Sequence, residues 1–150
     1  MSVESENKAD GGHDVQVQTT VDDVTGEVLG YTMDRLLEAG SSDVTFTPVT
    51  MKKGRPGVTV TVLCAGSLLD RVCDILIAEL GTLGVRWWPV HRRKVERRFE
   101  EVSVMGERIT LKTGIENGRE VISKLEYEDA CKVARKLNIP LRQVLKEGML

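Results

Sequence analysis

The sequence predicts an α+β protein, on three observations. Stretches rich in Val and Thr alternate with polar residues at a period of two, helical periodicity intervenes between them, and Gly, Pro or acidic residues mark the junctions. The predicted order, strand–helix–strand–strand–helix–strand, is the split βαβ pattern of ferredoxin-like (βαββαβ) domains. We expect that domain over 15–95, after a disordered polar tail over 1–14 and before a small α+β lobe over 96–148.

Each element follows in order. VQVQTTV (Val15–Val21) sets Val15, Val17, Thr19 and Val21 against polar partners and reads as a strand. Asp22 and Asp23 follow, then a helix through about Ala39, with Val28, Leu29, Met33, Leu36 and Leu37 at helical spacing and Gly40 at its end. VTFTPV (Val44–Val49) is a second strand, and Pro48 places it at an edge or a bulge. MKKGRPG turns into the β-branched third strand, Val58–Cys64. Ser67 and Asp70 form a cap pattern for a second helix that Gly81 closes, and Val85–Val95 is the expected fourth strand. In the lobe, RFEEVSV and RITLKT flank Met105-Gly106-Glu107 as a hairpin, REVISKL follows Glu116-Asn117-Gly118, and helices run from Tyr127 to Leu137 and from Pro140 to before Gly148.

Composition narrows the functional classes. The chain has 150 residues, 41% apolar and 29% charged, which is globular and long enough for a modest core. A net charge of −2 excludes a general polyanion binder and makes any basic site local. Aromatics at 4% are too few for a platform that stacks successive bases. Cys64, Cys73 and Cys131 are odd in number, form no CxxC pair and follow no secretory h-region. No apolar run reaches the length of a membrane span, so the cytoplasm is the expected compartment. His13 and His91 lie far apart, and no Cys/His zinc spacing occurs.

Five stretches carry candidate chemistry, the first three beside a plainer alternative. Asp22 and Asp23, before a helix, either hold a hard divalent cation together with substrate phosphates or cap the helix and favour its dipole. Lys52, Lys53 and Arg55 in MKKGRPG suit a triphosphate, or protect a sheet edge from a solvated turn; the loop lacks the GxxxxGK[ST] pattern. GTLGVR (Gly81–Arg86) offers a hydroxyl from Thr82, backbone N–H groups and Arg86 to an anion, or is simply a helix-to-strand turn. HRRKVERR with Trp87 and Trp88 before it is a basic stripe that strand alternation would split between two faces. The stretch ACKVARKLNIPLRQVLK has spacing like a helix-turn-helix, with Pro140–Lys146 as the recognition helix. A nucleic-acid-binding regulator is therefore the alternative function, ranked second because the molecule is acidic and the helix short.

Taken together, TTVDDVTGEVLGYTMDRLLEAGSSDVTFTPVTMKKGRPGVTVTVLC resembles the C-terminal region of the LarC-type nickel-insertion proteins. That family has an N-[IV]-D-D-M-like segment, a helix ending LLEAGA-D-V and a [MK]KK-x-RPG hairpin. KLEYEDACKVARKLNIPLRQV is similar to its closing K-x-EYED…A…PL-x-x-V, so the resemblance runs from about 16 to 147. Thr20 stands where the family has Asn, and Leu80 and Gly81 stand where it has consecutive threonines.

The resemblance implies an activity. The family is a nickel cyclometallase: it inserts Ni²⁺, its substrate metal, into pyridinium-3,5-bisthiocarboxylic acid mononucleotide, giving the nickel-pincer nucleotide cofactor of lactate racemase-type enzymes. Insertion depends on CTP, bound with Mn²⁺ or Mg²⁺ in the C-terminal region, and the family forms homo-oligomers. Lys52, Lys53 and Arg55 are then expected to neutralise the triphosphate or the precursor's phosphate, Asp22 and Asp23 to hold the cation, and Thr82 and Arg86, matching TTT-x-GVR, to complete the phosphate site. No residue is implied as catalytic. The family's N-terminal region, with its histidine-rich nickel-handling stretch, has no counterpart in this sequence, and an N-terminal LarC-type polypeptide is expected as partner.

Overall fold

The alternation of VQVQTTV becomes a central strand in the computed structural model, which describes residues 13–148. Strand β1 (Asp14–Val21) buries Val15, Val17, Thr19 and Val21 on one face and leaves Gln16, Gln18 and Thr20 half-buried on the other. The expected tail lies outside the described residues except for His13 and Asp14, and Asp14 already belongs to β1. Helix α1 (Gly26–Glu38) leads to strands β2 (Asp43–Thr50) and β3 (Pro56–Ala65), then helix α2 (Leu69–Leu80) and strand β4 (Arg86–Val90). The strands pair antiparallel in the order β2-β3-β1-β4, which is the ferredoxin-like order. Pro48 sits in β2, an edge strand, where a residue without an N–H does least damage to the ladder. Leu36 of α1 and Val72 and Leu76 of α2 close over Val17, Val60 and Val62, all fully buried.

Three local expectations are corrected. Neither Asp22 nor Asp23 caps α1: Thr25 does, its hydroxyl accepting from the Val28 N–H at 3.4 Å. Ser67 lies in a 3₁₀ turn (Gly66–Leu68), and α2 starts without a side-chain cap, although Gly81 closes it in the left-handed conformation as expected. The fourth strand stops at Val90 rather than Val95: its partner β1 begins at Asp14, which pairs with Val90, and among the described residues no strand pairs with His91–Val95.

A second compact unit begins at Arg93. Strands β5 (Glu96–Val104), β6 (Glu107–Glu116) and β7 (Arg119–Leu125) form an antiparallel meander, followed by helices α3 (Tyr127–Leu137) and α4 (Leu141–Glu147). Both hairpins turn on two residues of positive φ, Met105-Gly106 and Asn117-Gly118, as tight antiparallel turns require. Val104, Ile109, Ala130, Val133 and Val144 make the core of this unit. The proposed recognition helix is α4: it begins at Leu141, with Pro140 as its cap residue, spans 7 residues and buries Val144 completely.

Candidate functional site

The end of the first sheet where β1 finishes and β4 starts gathers residues far apart in sequence. An open cleft of about 530 Å³ there is lined by Thr19, Thr20, Asp22, Asp23, Thr82 and Arg86, together with Val21, Gly81, Leu83 and Gly84. Both carboxylates leave the C-terminal end of β1, while Thr82 and Arg86 arrive from the loop that enters β4. The ferredoxin-like order alone brings these two segments together, because it makes β1 and β4 neighbours.

Two hydrogen-bond systems hold the walls. Thr19, 1% exposed, pairs its hydroxyl with that of Thr82 at 2.7 Å and donates to the Gly84 carbonyl at 2.9 Å. The loop is thereby tied to the central strand from the core side. On the open face, Arg86 donates to Gln18 Oε1 at 3.0 Å and Thr20 Oγ1 at 3.2 Å. Gln18 in turn donates to Thr61, and Thr20 shares a hydroxyl contact with Thr59, each at 3.0 Å. The guanidinium is therefore aimed by three strands, while its remaining N–H groups stay available.

The hairpin reaches the same end of the sheet. Arg55 donates to Asp22 Oδ2 at 3.0 Å, an exposed pair that joins the MKKGRPG turn to the acidic pair. Gly57 makes this approach possible, since a Cβ there would lie 2.8 Å from the Val21 carbonyl oxygen. Lys52 and Lys53 occupy a 3₁₀ turn (Lys52–Gly54), both exposed, with Lys53 at a φ of 65°. They do not line the cleft, and among the described residues neither has an ion-pair or hydrogen-bond partner. Of the seven candidate residues, the structure thus brings Asp22, Asp23, Thr82 and Arg86 into one cleft and Arg55 to its rim.

The acidic pair suits a hard cation only in part. Among the described residues, no group of three or more His, Cys, Asp or Glu side chains stands together. Two adjacent carboxylates beside hydroxyls match Mg²⁺ or Mn²⁺ taken up with phosphate oxygens, since such ions commonly rest on one or two carboxylates plus substrate. Sequence reasoning missed Gln18, Thr19 and Thr20, which read as strand alternation and nothing more. It also missed Leu83, fully exposed in the cleft lining, whose position in a Gly-flanked loop is the signal that was available. The basic stripe is mostly neutralised: Arg92 pairs with Asp14 at 2.9 Å, Arg93 with Glu116 at 2.6 Å, and Arg98 with Glu120. His13 and His91, distant in sequence, meet edge to face with ring centroids 6.3 Å apart.

Comparison with known proteins places the chain in a family. The family model described as "Nickel insertion protein" matches residues 1–145. A relative in Methanothermobacter thermautotrophicus named for nickel insertion is 46% identical over 134 residues, which is 87% of this chain and 33% of the relative. The pyridinium-3,5-bisthiocarboxylic acid mononucleotide nickel insertion protein of Acetivibrio thermocellus is 41% identical over 128 residues, 85% of this chain and 31% of its own length. The chain thus spans about a third of the length of the curated relatives it matches. A solved structure described as LarC2, the C-terminal domain of a cyclometallase involved in the synthesis of the NPN cofactor of lactate racemase, superposes with a TM-score of 0.87 at 34% identity, covering 91% of this chain and 94% of that one. The chain belongs to the nickel insertion protein family, and its fold is that of the C-terminal domain of a LarC cyclometallase.

Proposed function

We propose that this chain is the CTP-binding part of a nickel-insertion enzyme that places Ni²⁺ in pyridinium-3,5-bisthiocarboxylic acid mononucleotide, making the nickel-pincer nucleotide cofactor of lactate racemase-type enzymes. The observation that carries the reading is the convergence of Asp22, Asp23, Thr82 and Arg86 on one cleft of a chain that matches the LarC C-terminal domain over nearly its whole length. Arg86, held by Gln18 and Thr20, presents its free N–H groups to phosphate oxygens. Lys52 and Lys53 add positive charge from the hairpin, and Arg55 exchanges Asp22 for phosphate when nucleotide arrives. Asp22 and Asp23 hold the accompanying Mg²⁺ or Mn²⁺, which neutralises phosphate charge when bound. Leu83 offers the base an apolar surface.

Nickel itself finds its soft ligands in the thiocarboxylates of the substrate. The handling of the free metal belongs to an N-terminal LarC-type polypeptide, with which this chain works as an oligomer in the cytoplasm. Calorimetric titration with CTP, then ATP, each with and without Mg²⁺ or Mn²⁺, tests the reading. Metal-dependent binding that prefers CTP is the expected result. Indifference to both nucleotides at millimolar concentration would overturn it.

A further inference from the structure

The outer face of the β5–β6–β7 sheet carries a charge imbalance that the cleft does not explain. A hollow of about 170 Å³ lies there, lined by Val95, Arg97, Lys112, Gly114, Ile122 and Lys124. The register sets these side chains in two rows. Phe99 stands opposite Lys112, and Lys112 opposite Lys124; one step along, Arg97 stands opposite Gly114, and Gly114 opposite Ile122. Two lysines directly across from each other repel. No acid lines the hollow, and Glu101, farther along the same strand face, already lies 3.7 Å from Arg108. Among the described residues, Arg97 and Lys124 have no ion-pair or hydrogen-bond partner, and Lys112 has only the Phe99 ring, with Nζ 5.8 Å from its centroid. Arg93, Arg98, Arg108, Lys132 and Lys136 of this unit have carboxylate partners, whereas Arg119, Arg135, Arg142 and Lys146 have none among the described residues but are not gathered around one hollow.

The hollow also has an apolar side. Val95 and Ile122 line it, Ile122 being 48% exposed, while Phe99, 57% exposed, stands opposite Lys112 outside the lining. Gly114 keeps the floor low, since a Cβ there would meet Ile122 Cγ2 at 2.9 Å and Val95 Cγ2 at 3.2 Å. Apolar surface ringed by three unneutralised cations suits a small planar ring with more than one anionic substituent better than it suits inorganic phosphate. A space of this size admits one ring, below the usual range for a larger ligand, and gives no continuous track for a polynucleotide.

We propose that this hollow is the seat of the pyridinium mononucleotide, with the ring against Val95 and Ile122 and its anionic groups among Arg97, Lys112 and Lys124. The inference rests on the proposed function and deepens it by giving the substrate a site separate from the nucleotide cleft. It is tested with nicotinate mononucleotide as probe, a pyridinium ring bearing one carboxylate and one phosphate. The full chain, labelled with ¹⁵N, is titrated with this probe, with nicotinamide riboside, which lacks both anions, and with CTP plus Mg²⁺. The expected result is amide shifts at Lys112, Gly114, Ile122 and Lys124 with the mononucleotide alone, and binding weakened about tenfold or more in the Lys112→Gln/Lys124→Gln variant. That variant should melt at or above the wild-type temperature, because the repelling pair is gone; if it fails to fold, Arg97→Gln takes its place in the same titration.

Shifts confined to Thr82 and Arg86, equal affinity in the double variant, or no response to the probe would each overturn the inference. So would an acidic peptide or a duplex RNA that moves these amides where the mononucleotide does not. If CTP still shifts the cleft while the probe is silent, only the second site falls. If CTP is silent as well, the proposed function falls with it.

Discussion

Asp22 illustrates how one side chain serves two charges in turn. In the free protein its carboxylate is held by Arg55 at 3.0 Å, so a divalent cation arriving alone meets an acid already engaged. Replacing Arg55 by Ala is therefore expected to act in opposite directions: CTP binding weakens more than about tenfold, from the loss of one charge-assisted contact of roughly 1.5–3 kcal/mol, while Mn²⁺ binding without nucleotide tightens. Two calorimetric titrations check this, and changes of the same sign in both would contradict the exchange. Asp22, Asp23, Thr82 and Arg86 were legible as candidates because carboxylates and a Gly-flanked Thr at element junctions are local signals. Gln18, Thr19 and Thr20 were not, because their roles depend on Arg86 and Thr82, more than sixty positions away and brought close only by the β1–β4 register.

Among the elements, the βαββαβ order was legible because β-branched alternation and helical spacing leave little overlap. Boundaries failed where partners decided them. The run after Val90 reads as a continuation of the strand but has no strand partner among the described residues, and two acids looked like a cap until Thr25 took that place. The β2–β3 hairpin depends on close contact at Gly57: a Cβ would meet the Val21 carbonyl at 2.8 Å and Met51 Sδ at 2.6 Å, and the carbonyl belongs to a paired strand that cannot give way. Gly57→Ala should cost about 1–3 kcal/mol in urea denaturation, and it should weaken CTP binding by moving Arg55 from Asp22. In the second unit, Asp129 ties α3 to β6. Its carboxylate accepts from the Thr110 hydroxyl at 2.7 Å, from Lys132 at 3.0 Å and from the Thr110 N–H at 3.3 Å, which together pull its pKa from the ordinary 3.8 to about 2. A folded value below the unfolded one means stability that is complete above the ordinary value and is lost as pH falls through about 2. Acid titration of Asp129→Asn followed by circular dichroism should show a shallower loss between pH 3.8 and 2 than the wild type.

Across the whole molecule, burial sorts the thiols. Cys64 is fully enclosed in the first core, and burial, then Cys73 and Asp14, push its thiol up from the ordinary range. A thiol that is both enclosed and protonated reacts only when the core opens. Labelling with a water-soluble disulfide reagent should therefore modify the half-exposed Cys131 within minutes and Cys64 at the rate of unfolding, as mass spectrometry of digested samples would read out. The strand order has a last consequence, in time rather than space. β1 is the first strand among the described residues, yet it lies between β3 and β4 and finds its partners only at Val58–Ala65 and Arg86–Val90. As the chain leaves the ribosome, its valine-rich strand waits for β3 on one edge, and its other edge stays bare until Arg86–Val90 has emerged, several seconds later at ordinary rates of synthesis. The glutamines and threonines that later aim Arg86 would keep that waiting strand hydrated on one face, so the polar side of the future site also guards the nascent chain against premature pairing.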